Sequence, residues 1–497
     1  MSTDARLWAA DANEALHLSL VRATADIATL DQREHYEGFN PSFTYPLFGE
    51  DEKIYGYRDL RIDLKFASGS LAQYLGIQYT DKLPASSAVD DIESTIANFI
   101  PSGYYTDEAE FLKRVEDDAI AFRPPGTRIH TYSRPTRPSN GKGKEKEIND
   151  EGATIDFEVY HCTWDTPGFK ELHRRMQLFI LLYIEGGSFI KEEEDVWQFV
   201  ILYEKRKRRD DPSVSTYHFV GYSTLYPFYC FPEKVRLRLS QFVIVQPYQQ
   251  EGHGSALYSA IYRYVRDAPD IAELTVEDPV EAFEDLRDRN DLKMLLGNTD
   301  FMREALGEGW EADLKPPPKV PTTPPKSKGH RYHPYANGRS DNGHTPMDRL
   351  AESYANGYFN GGGPPTPPPE AQILAVQEGL NATANGNGNG KAVVRSGPRG
   401  KLGPPADRAW LERRRVELKM ASRQFYRLVE MLMLRFIIVE GCDKRLEKAY
   451  RIWVKERLFR FNYEVLAQMD KKERQQKLDE TFWAVRKDYE RILAMVH

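Results

Sequence analysis

The chain has 497 residues and 40% hydrophobic content, which is enough for several domains that each bury a core. Its formal net charge of -7 argues against a general nucleic-acid-binding protein and is compatible with a basic protein partner. The longest apolar runs are far shorter than the roughly 20 residues that span a membrane. The acidic first residues are unlike a signal peptide. We therefore expect a protein of the cytosol or nucleus that contacts neither membrane nor nucleic acid directly.

Residues 1–153 mix short alternating runs with turns and predict an α+β domain. Residues 60–66 alternate with a period of two, as a half-buried strand does. A loop flanked by aromatic residues carries three consecutive acids, Glu50, Asp51 and Glu52, which charge alone would assign to a solvated turn. Proline, serine, glycine and alternating Lys-Glu predict a disordered insertion at about residues 133–152.

Residues 154–314 predict a second, mixed α/β segment. A buried helix over residues 169–184 ends at Glu185, just before two glycines, where a lone acid is usually exposed. Strands follow at residues 197–203, 218–226 and 235–245, and a charged turn at 204–211 joins the first two as an antiparallel hairpin. The apolar alternation of the third strand changes phase near Ser240-Gln241, which is typical of a β-bulge.

The third strand leads into Gln249-Gln-Glu-Gly252-His-Gly254-Ser, a helix from His253 and a strand at 273–276. Small residues at a helix start offer backbone N–H groups to a phosphate, although a plain strand-to-helix turn looks similar. A dinucleotide-binding loop would need a third glycine where this chain has Leu257, while Glu273 meets its requirement for a later acid. The hairpin before the loop argues against that fold.

Beyond residue 314 the composition changes. Repeated Pro, Gly and Asn predict a disordered linker over residues 315–405. Residues 406–497 predict a bundle of three helices at about 411–439, 443–466 and 473–496. The predicted fold class is therefore α+β, with an N-terminal α+β domain, a central mixed-sheet domain and a C-terminal helical bundle.

The motif Gln249-x-x-Gly252-x-Gly254 after a strand resembles the acetyl-coenzyme A loop of the GCN5-related N-acetyltransferase superfamily. With Val276-Glu-Asp-Pro279 downstream, and with matching segments at residues 39–57, 218–227 and 423–432, the chain resembles the catalytic subunits of type B histone acetyltransferases. That resemblance makes residues 154–314 an acetyltransferase domain.

The resemblance also implies roles for individual residues. Glu277 would be the general base, with Glu185 and Asp278 as auxiliary carboxylates. Val280 replaces a polar cofactor contact. The implied cofactor-binding residues are Phe242, Val243, Ile244, Gln249, Gln250, Glu251, Gly252, His253, Gly254, Ser255 and Arg289. The implied substrate-binding residues are Glu50, Asp51, Glu52, Trp197, Phe219, Val220, Gly221, Tyr222, Ser223, Thr224, Leu225, Tyr226 and Pro227.

Elementary chemistry agrees with a carboxylate base. A lysine ammonium has a pKa near 10.4, so exposing its amine at neutral pH costs roughly 4 kcal/mol. A carboxylate with apolar neighbours and a second acid beside it, as Glu277-Asp278 predicts, has a raised pKa and can accept the proton. The amine then attacks the thioester directly. Cys162, Cys230 and Cys442 show no ligand spacing, so we expect no metal.

The resemblance implies an enzyme that transfers acetyl from acetyl-coenzyme A to tail lysines of newly synthesised, soluble histone H4. It further implies histone substrate in the form of a soluble dimer, a WD-repeat histone-binding subunit as partner, and a location in nucleus and cytoplasm. The alternatives are a catalytically idle histone-binding chaperone module with the same fold and a nicotinamide-dependent oxidoreductase.

Overall fold

The computed structural model of the protein describes residues 8–28, 30, 34–84, 89–135, 154–208, 210–310, 400–403, 405–440 and 444–496. These residues form two compact units. The first contains the described residues up to Glu277 together with Leu418–Ala421, and the second contains the other described residues from Asp278 onward. None of the helices described is both long and apolar enough to cross a membrane.

The N-terminal part of the first unit is built from short elements around a three-stranded sheet. Its elements are β1 Ala9–Asp11, α1 Ala12–Ala15, β2 Leu16–Val21, α2 Thr24–Ile27, α3 Tyr45–Phe48, β3 Lys53–Tyr55, β4 Tyr57–Arg58, β5 Arg61–Ala67, β6 Gln73–Gln78, β7 Asp81–Lys82, α4 Ile92–Ala97 and α5 Glu108–Ala121. The sheet order is β2-β5-β6, with β5 parallel to β2 and antiparallel to β6. The predicted strand at 60–66 is confirmed as β5. Because it is central, it buries Ile62, Asp63 and Leu64 in succession rather than alternately.

A six-stranded mixed sheet forms the rest of the first unit. Its elements are β8 Thr127–Pro135, β9 Thr154–Thr163, α6 Phe169–Met176, α7 Leu178–Tyr183, β10 Gln198–Lys207, β11 Ser215–Cys230, β12 Lys234–Ile244, α8 His253–Asp267 and β13 Ile271–Val276. The order is β13-β12-β11-β10-β9-β8, and only β12 and β13 are parallel. A parallel pair needs a crossover, and α8 provides it. The predicted α+β class with a central mixed sheet is confirmed.

The mixed sheet begins earlier in the chain than the predicted domain boundary after residue 153. β8 pairs with β9 from Thr127↔His161 to Pro135↔Thr154, so residues before that boundary belong to the sheet. Residues 133–135, predicted to open a disordered insertion, are the end of β8, and the rest of that insertion lies outside the described residues. β8 is an edge strand, which is half exposed and therefore rich in polar residues. This polar composition is why residues 133–135 were predicted to belong to the insertion.

The predicted hairpin of β10 and β11 is confirmed, but the predicted turn at 204–211 is too long. β10 continues to Lys207, and it buries Glu204 and Arg206, which are 1% and 9% exposed. Charged residues are rarely buried unless they are paired. The many charged residues at 204–211 therefore led the sequence analysis to end this strand too early.

The second unit is helical. Its helices are α9 Glu281–Gly297, α10 Thr299–Leu306, α11 Arg408–Glu417, α12 Ser422–Glu440, α13 Lys444–Phe461, α14 Tyr463–Leu466 and α15 Lys471–Met495. α12 packs against α9, α13 and α15. Helices α9 and α10 therefore belong with the C-terminal helices, although the sequence placed residues 281–306 in the central domain.

Two boundaries in this region also differ from prediction. The helix expected at 411–439 is interrupted at Leu418–Ala421, where Lys419 has a positive φ of 52°. The predicted linker ends earlier than residue 405, because Leu402 is buried and Lys401 pairs with Asp407 at 3.0 Å. Residues 311–399 lie outside the described residues.

Candidate active site

The predicted bulge is present in β12. Thr224 of β11 faces Gln241, but the next residue, Leu225, faces Leu239, so Ser240 is the extra residue. Two side chains of β11 hold the bulge: the Ser223 hydroxyl donates to the Gln241 carbonyl at 2.8 Å, and the Gln241 N–H donates to the Thr224 hydroxyl at 3.1 Å. The bulged strand consequently bends at Ser240.

β12 and β13 fork next to this bulge. Their parallel pairing ends at Leu239↔Val276, followed by a hydrogen bond from the Glu277 N–H to the Leu239 carbonyl at 2.9 Å. β12 then continues to Ile244, where β11 is its one strand partner within the described part of the chain. The predicted cofactor strand, residues 242–244, is therefore the arm of the fork that leads toward the glycine loop.

Glu277 lies at the base of the fork. The Ser240 hydroxyl donates to its carboxylate, and Arg238 lies 3.8 Å from the other carboxylate oxygen. The Glu277 side chain is 43% exposed. The sequence predicted apolar surroundings and a second acid, whereas the contacts are a hydroxyl and a guanidinium. Asp278, the next residue, is exposed and has a positive φ of 29°.

The turn that carries Glu185 lies beside the bulge. Glu185 is exposed, and the next residue, Gly186, donates its N–H to the Tyr45 hydroxyl at 2.7 Å. The side-chain amide of Gln241 donates to the Ser188 carbonyl at 2.8 Å. The bulge is therefore directly connected to the segment that follows α7.

The three acids at residues 50–52 have different environments. Glu52 accepts hydrogen bonds from the Thr44 and Tyr45 N–H groups at 2.7 and 3.1 Å, so its carboxylate caps the start of α3. Asp51 accepts from the Tyr55 hydroxyl at 2.9 Å. Glu50 and Asp51 are exposed. The predicted substrate role is therefore open to Glu50 and Asp51, while Glu52 has a structural one.

The strand predicted to hold substrate is mostly core. Residues 219–225 are buried, since β11 has partners on both edges, and only Tyr226 and Pro227 are half-exposed. Gly221 is a glycine because a Cβ there would collide with the Val243 carbonyl. The side chains of Phe219 to Leu225 are therefore enclosed in this structure, and their contact with substrate stays a prediction. Trp197 is half-exposed, and its ring meets that of Tyr226 edge-on at 4.8 Å.

The glycine loop adopts the backbone conformation that close approach to a phosphate requires. Gln250 and Gly252 have positive φ values of 60° and 79°, and α8 begins at His253 without a side-chain cap. The Gln249 amide donates to the Ile244 carbonyl at 2.8 Å, which ties the loop to β12. The start of a helix, where backbone N–H groups and the positive end of the helix dipole meet, can hold a diphosphate.

The imidazole of His253, a residue that the resemblance implied in cofactor binding, has a structural role. Its ring is buried, Nδ1 is hydrogen-bonded to the Tyr132 hydroxyl at 2.7 Å, and it packs against Phe157 at 4.5 Å between ring centroids. Burial lowers the pKa of His253 to about 4, and the charge of Arg134 acts in the same direction. The imidazole is therefore neutral near pH 7.

Arg134 was missed by sequence reasoning. A Cβ on Gly252 would stand 3.0 and 3.3 Å from its two terminal guanidinium nitrogens, so the cation lies across the loop. The sequence placed Arg134 in the predicted insertion; the alternation of Tyr132 and Arg134 along β8 was the signal that could have identified it. Arg289, the other predicted cofactor contact, lies in the second unit and donates to the Asp285 carbonyl at 3.1 Å.

A buried charge network holds the residue before the loop. Arg22 donates to both carboxylate oxygens of Glu204 at 3.1 and 3.0 Å, and Arg206 also donates to that carboxylate. The Tyr248 hydroxyl donates to Glu204 at 2.7 Å and accepts from Arg22 at 2.8 Å. Burial alone would raise the pKa of Glu204, but the two guanidinium groups outweigh it and lower this pKa.

A mixed sheet that forks beside a carboxylate, followed by a glycine loop at a helix start, defines the class of protein as an acetyltransferase. Comparison with known families agrees. Residues 8–185 match the family described as the N-terminus of the histone acetyl transferase HAT1, and residues 399–436 match the fungal HAT1 C-terminal family.

Curated relatives extend this match over almost the whole chain. The histone acetyltransferase type B catalytic subunit of Cryptococcus neoformans is 41% identical, over 98% of this chain and 98% of its own. That of Mycosarcoma maydis is 35% identical, over 91% and 82%, and the human protein is 33% identical, over 61% and 68%. The chain belongs to the family of type B histone acetyltransferase catalytic subunits and is a histone acetyltransferase.

Among solved structures, an aminoglycoside acetyltransferase from a soil metagenome covers 26% of this chain and 82% of its own at 16% identity. Its TM-score of 0.19 is too low to support a functional inference.

Proposed function

We propose that the protein transfers an acetyl group from acetyl-coenzyme A to lysines in the N-terminal tail of newly synthesised, soluble histone H4, with Glu277 as the general base. The observation that carries this proposal is the position of Glu277 at the fork of β12 and β13, next to the bulged residue Ser240. Residues 242–244 of β12 lead from that carboxylate to the glycine loop.

The residues around the loop fit acetyl-coenzyme A. The positive φ of Gly252 turns the chain into the start of α8, and the first turn of the helix would supply backbone N–H groups to a diphosphate. Residues 242–244 extend from the loop to the fork and would run alongside the pantetheine arm. The acetyl group would then lie near Glu277.

Glu277 is suited to take a proton from the substrate ammonium. Its carboxylate is partly exposed, so a lysine can reach it and the proton can pass on to solvent. The neutral amine attacks the acetyl carbonyl carbon, a C–N bond forms, the C–S bond breaks, and coenzyme A leaves as the thiolate. The second proton of the attacking amine neutralises that thiolate directly or through solvent.

Exposed acids on the same unit support a basic peptide substrate. Glu50, Asp51 and Glu185 are exposed, and hydrogen bonds through Tyr45 and Gln241 connect their segments to the bulge. Lysine and arginine side chains of a histone tail would be attracted to such carboxylates. The H4 tail within a soluble dimer, the WD-repeat partner and the nuclear and cytoplasmic location rest on the family resemblance.

The test is acetyl transfer by the full chain. We expect incorporation of label from acetyl-coenzyme A into an H4 tail peptide, and none into the same peptide with arginine at every lysine. An H3 tail peptide of equal length measures specificity, and we expect slower transfer to it.

Two results would contradict the proposal. A catalytically idle histone-binding module would bind the H4 peptide and transfer nothing. A nicotinamide-dependent oxidoreductase would bind that dinucleotide in calorimetry and not acetyl-coenzyme A.

A further inference from the structure

The edge strand β8 places an arginine over the start of α8. Tyr132 and Arg134 are two positions apart and therefore lie on one face of the strand. Tyr132 is hydrogen-bonded to His253, the first residue of α8, at 2.7 Å. This contact fixes Arg134, the next residue on that face, beside the glycine loop.

The position of the guanidinium can be stated relative to Gly252. If residue 252 carried a Cβ, the two terminal nitrogens of Arg134 would lie 3.0 and 3.3 Å from it. Gly252 also has a φ of 79°, a backbone conformation that favours glycine. The guanidinium of Arg134 therefore lies directly against Gly252, at the start of α8.

These two sources of positive potential converge on one place. Backbone N–H groups and the helix dipole favour an anion from the side of α8. A guanidinium offers several N–H donors in a planar fork that matches phosphate oxygens. The Tyr132 ring lies 5.4 Å from the Arg134 guanidinium carbon and supports the side chain from below.

We propose that Arg134 is a cofactor-binding residue that donates hydrogen bonds to the diphosphate of acetyl-coenzyme A, opposite the backbone N–H groups of the glycine loop. This inference rests on the proposed function, because it needs acetyl-coenzyme A in this site. It assigns the edge strand a part in binding that the loop motif alone does not contain.

The test compares the full-length wild type with Arg134→Gln and Arg134→Lys. We expect Arg134→Gln to raise the dissociation constant of acetyl-coenzyme A and its KM roughly 10- to 100-fold, the cost of one charged hydrogen-bonding group, with kcat nearly unchanged. Arg134→Lys should recover part of the loss, because it keeps the charge but not the fork. Arg263→Gln is the matched control: it removes an exposed arginine of α8 that contacts His130 of β8 at 3.1 Å, away from the loop.

Dephospho-coenzyme A, which lacks the 3′-phosphate, separates the two phosphate groups. An equal loss of affinity for coenzyme A and dephospho-coenzyme A in Arg134→Gln supports contact with the diphosphate. A loss seen only with the 3′-phosphate present, or wild-type affinity in Arg134→Gln, would overturn the assignment while leaving the acetyltransferase intact. A wild-type protein that binds no acetyl-coenzyme A would overturn the proposed function itself.

Discussion

Ser240 and Glu277 are 37 positions apart in the chain, yet the serine hydroxyl donates to the glutamate carboxylate. The sequence predicted the local structure around each residue. The phase slip in the apolar alternation predicted the bulge at Ser240, and the end of an apolar run predicted that Glu277 ends a strand. It could not predict their contact, because the register of a parallel pair is set by tertiary packing around the crossover helix. The mixed polar environment of Glu277 follows from that contact.

Charge misled the sequence reading at two other residues. Glu204 looked like part of a solvated turn, and Arg134 looked like part of a disordered insertion. In the structure Glu204 is 1% exposed and pairs with Arg206 on its own strand and with Arg22, which is 182 positions earlier in the chain. Long-range pairing of this kind leaves no local pattern in the sequence.

His173 gives a prediction about pH at the residue scale. It is 1% exposed, its ring packs against Trp164 and Phe199, and neither ring nitrogen has a hydrogen-bond partner among the described residues. Burial lowers the pKa of His173 to about 4, with Glu192 opposing and Arg174 adding to the shift. Between pH 6.5 and 4 the unfolded chain therefore binds a proton that the folded chain does not, and stability falls as the pH falls.

We expect His173→Phe to remove this dependence. The free energy of unfolding of the wild type should decrease by about 2 kcal/mol more than that of the variant between pH 8 and pH 5. Urea denaturation of both proteins at pH 8 and pH 5 measures this difference. The difference between the two proteins at pH 8 gives the effect of the substitution on packing alone. Parallel pH profiles for the two proteins would show that His173 titrates normally.

At the scale of elements, the turn between β12 and α8 is held by buried side chains of the core. Residues Gln246–Tyr248 form a short 3-10 helix, and Tyr248 ends it inside the network of Arg22 and Glu204. The ring of His253, across the loop, meets that of Tyr248 edge-on at 5.7 Å. Both ends of the glycine loop are therefore anchored in the core, and this should keep the loop in its binding conformation.

Tyr248→Phe tests this anchoring. Loss of the hydroxyl leaves Arg22 and Glu204 with an unfilled hydrogen bond, so we expect the free energy of unfolding to fall by about 1–3 kcal/mol. We also expect a several-fold higher KM for acetyl-coenzyme A. Tyr160→Phe is the control, since Tyr160 donates to the buried Glu158 elsewhere in the sheet. For Tyr160→Phe we expect a similar loss of stability and an unchanged KM for acetyl-coenzyme A. Equal KM values for Tyr248→Phe and Tyr160→Phe would disprove the anchoring role of Tyr248.

At the scale of the whole molecule, periodicity predicted most strands and helices of the mixed sheet, including the hairpin of β10 and β11 and helix α8. Domain borders were less predictable. β8 joins the sheet from across a long insertion, and α9 packs with C-terminal helices that lie more than a hundred residues further along the chain. Such partners depend on packing between distant segments, which composition does not encode.

The central claim is that the fork carboxylate removes the proton from the substrate lysine. The most direct measurement is the single-turnover rate of acetyl transfer to the H4 tail peptide by the wild type and by Glu277→Gln, with acetyl-coenzyme A affinity determined in parallel. Glu185→Gln serves as the control for loss of an exposed acid near the bulge. We expect Glu277→Gln to lower the rate roughly 10²- to 10⁴-fold, as loss of a general base does, with unchanged cofactor affinity and a much smaller effect of Glu185→Gln. Equal single-turnover rates for the wild type and Glu277→Gln would contradict the assignment of Glu277 as the base.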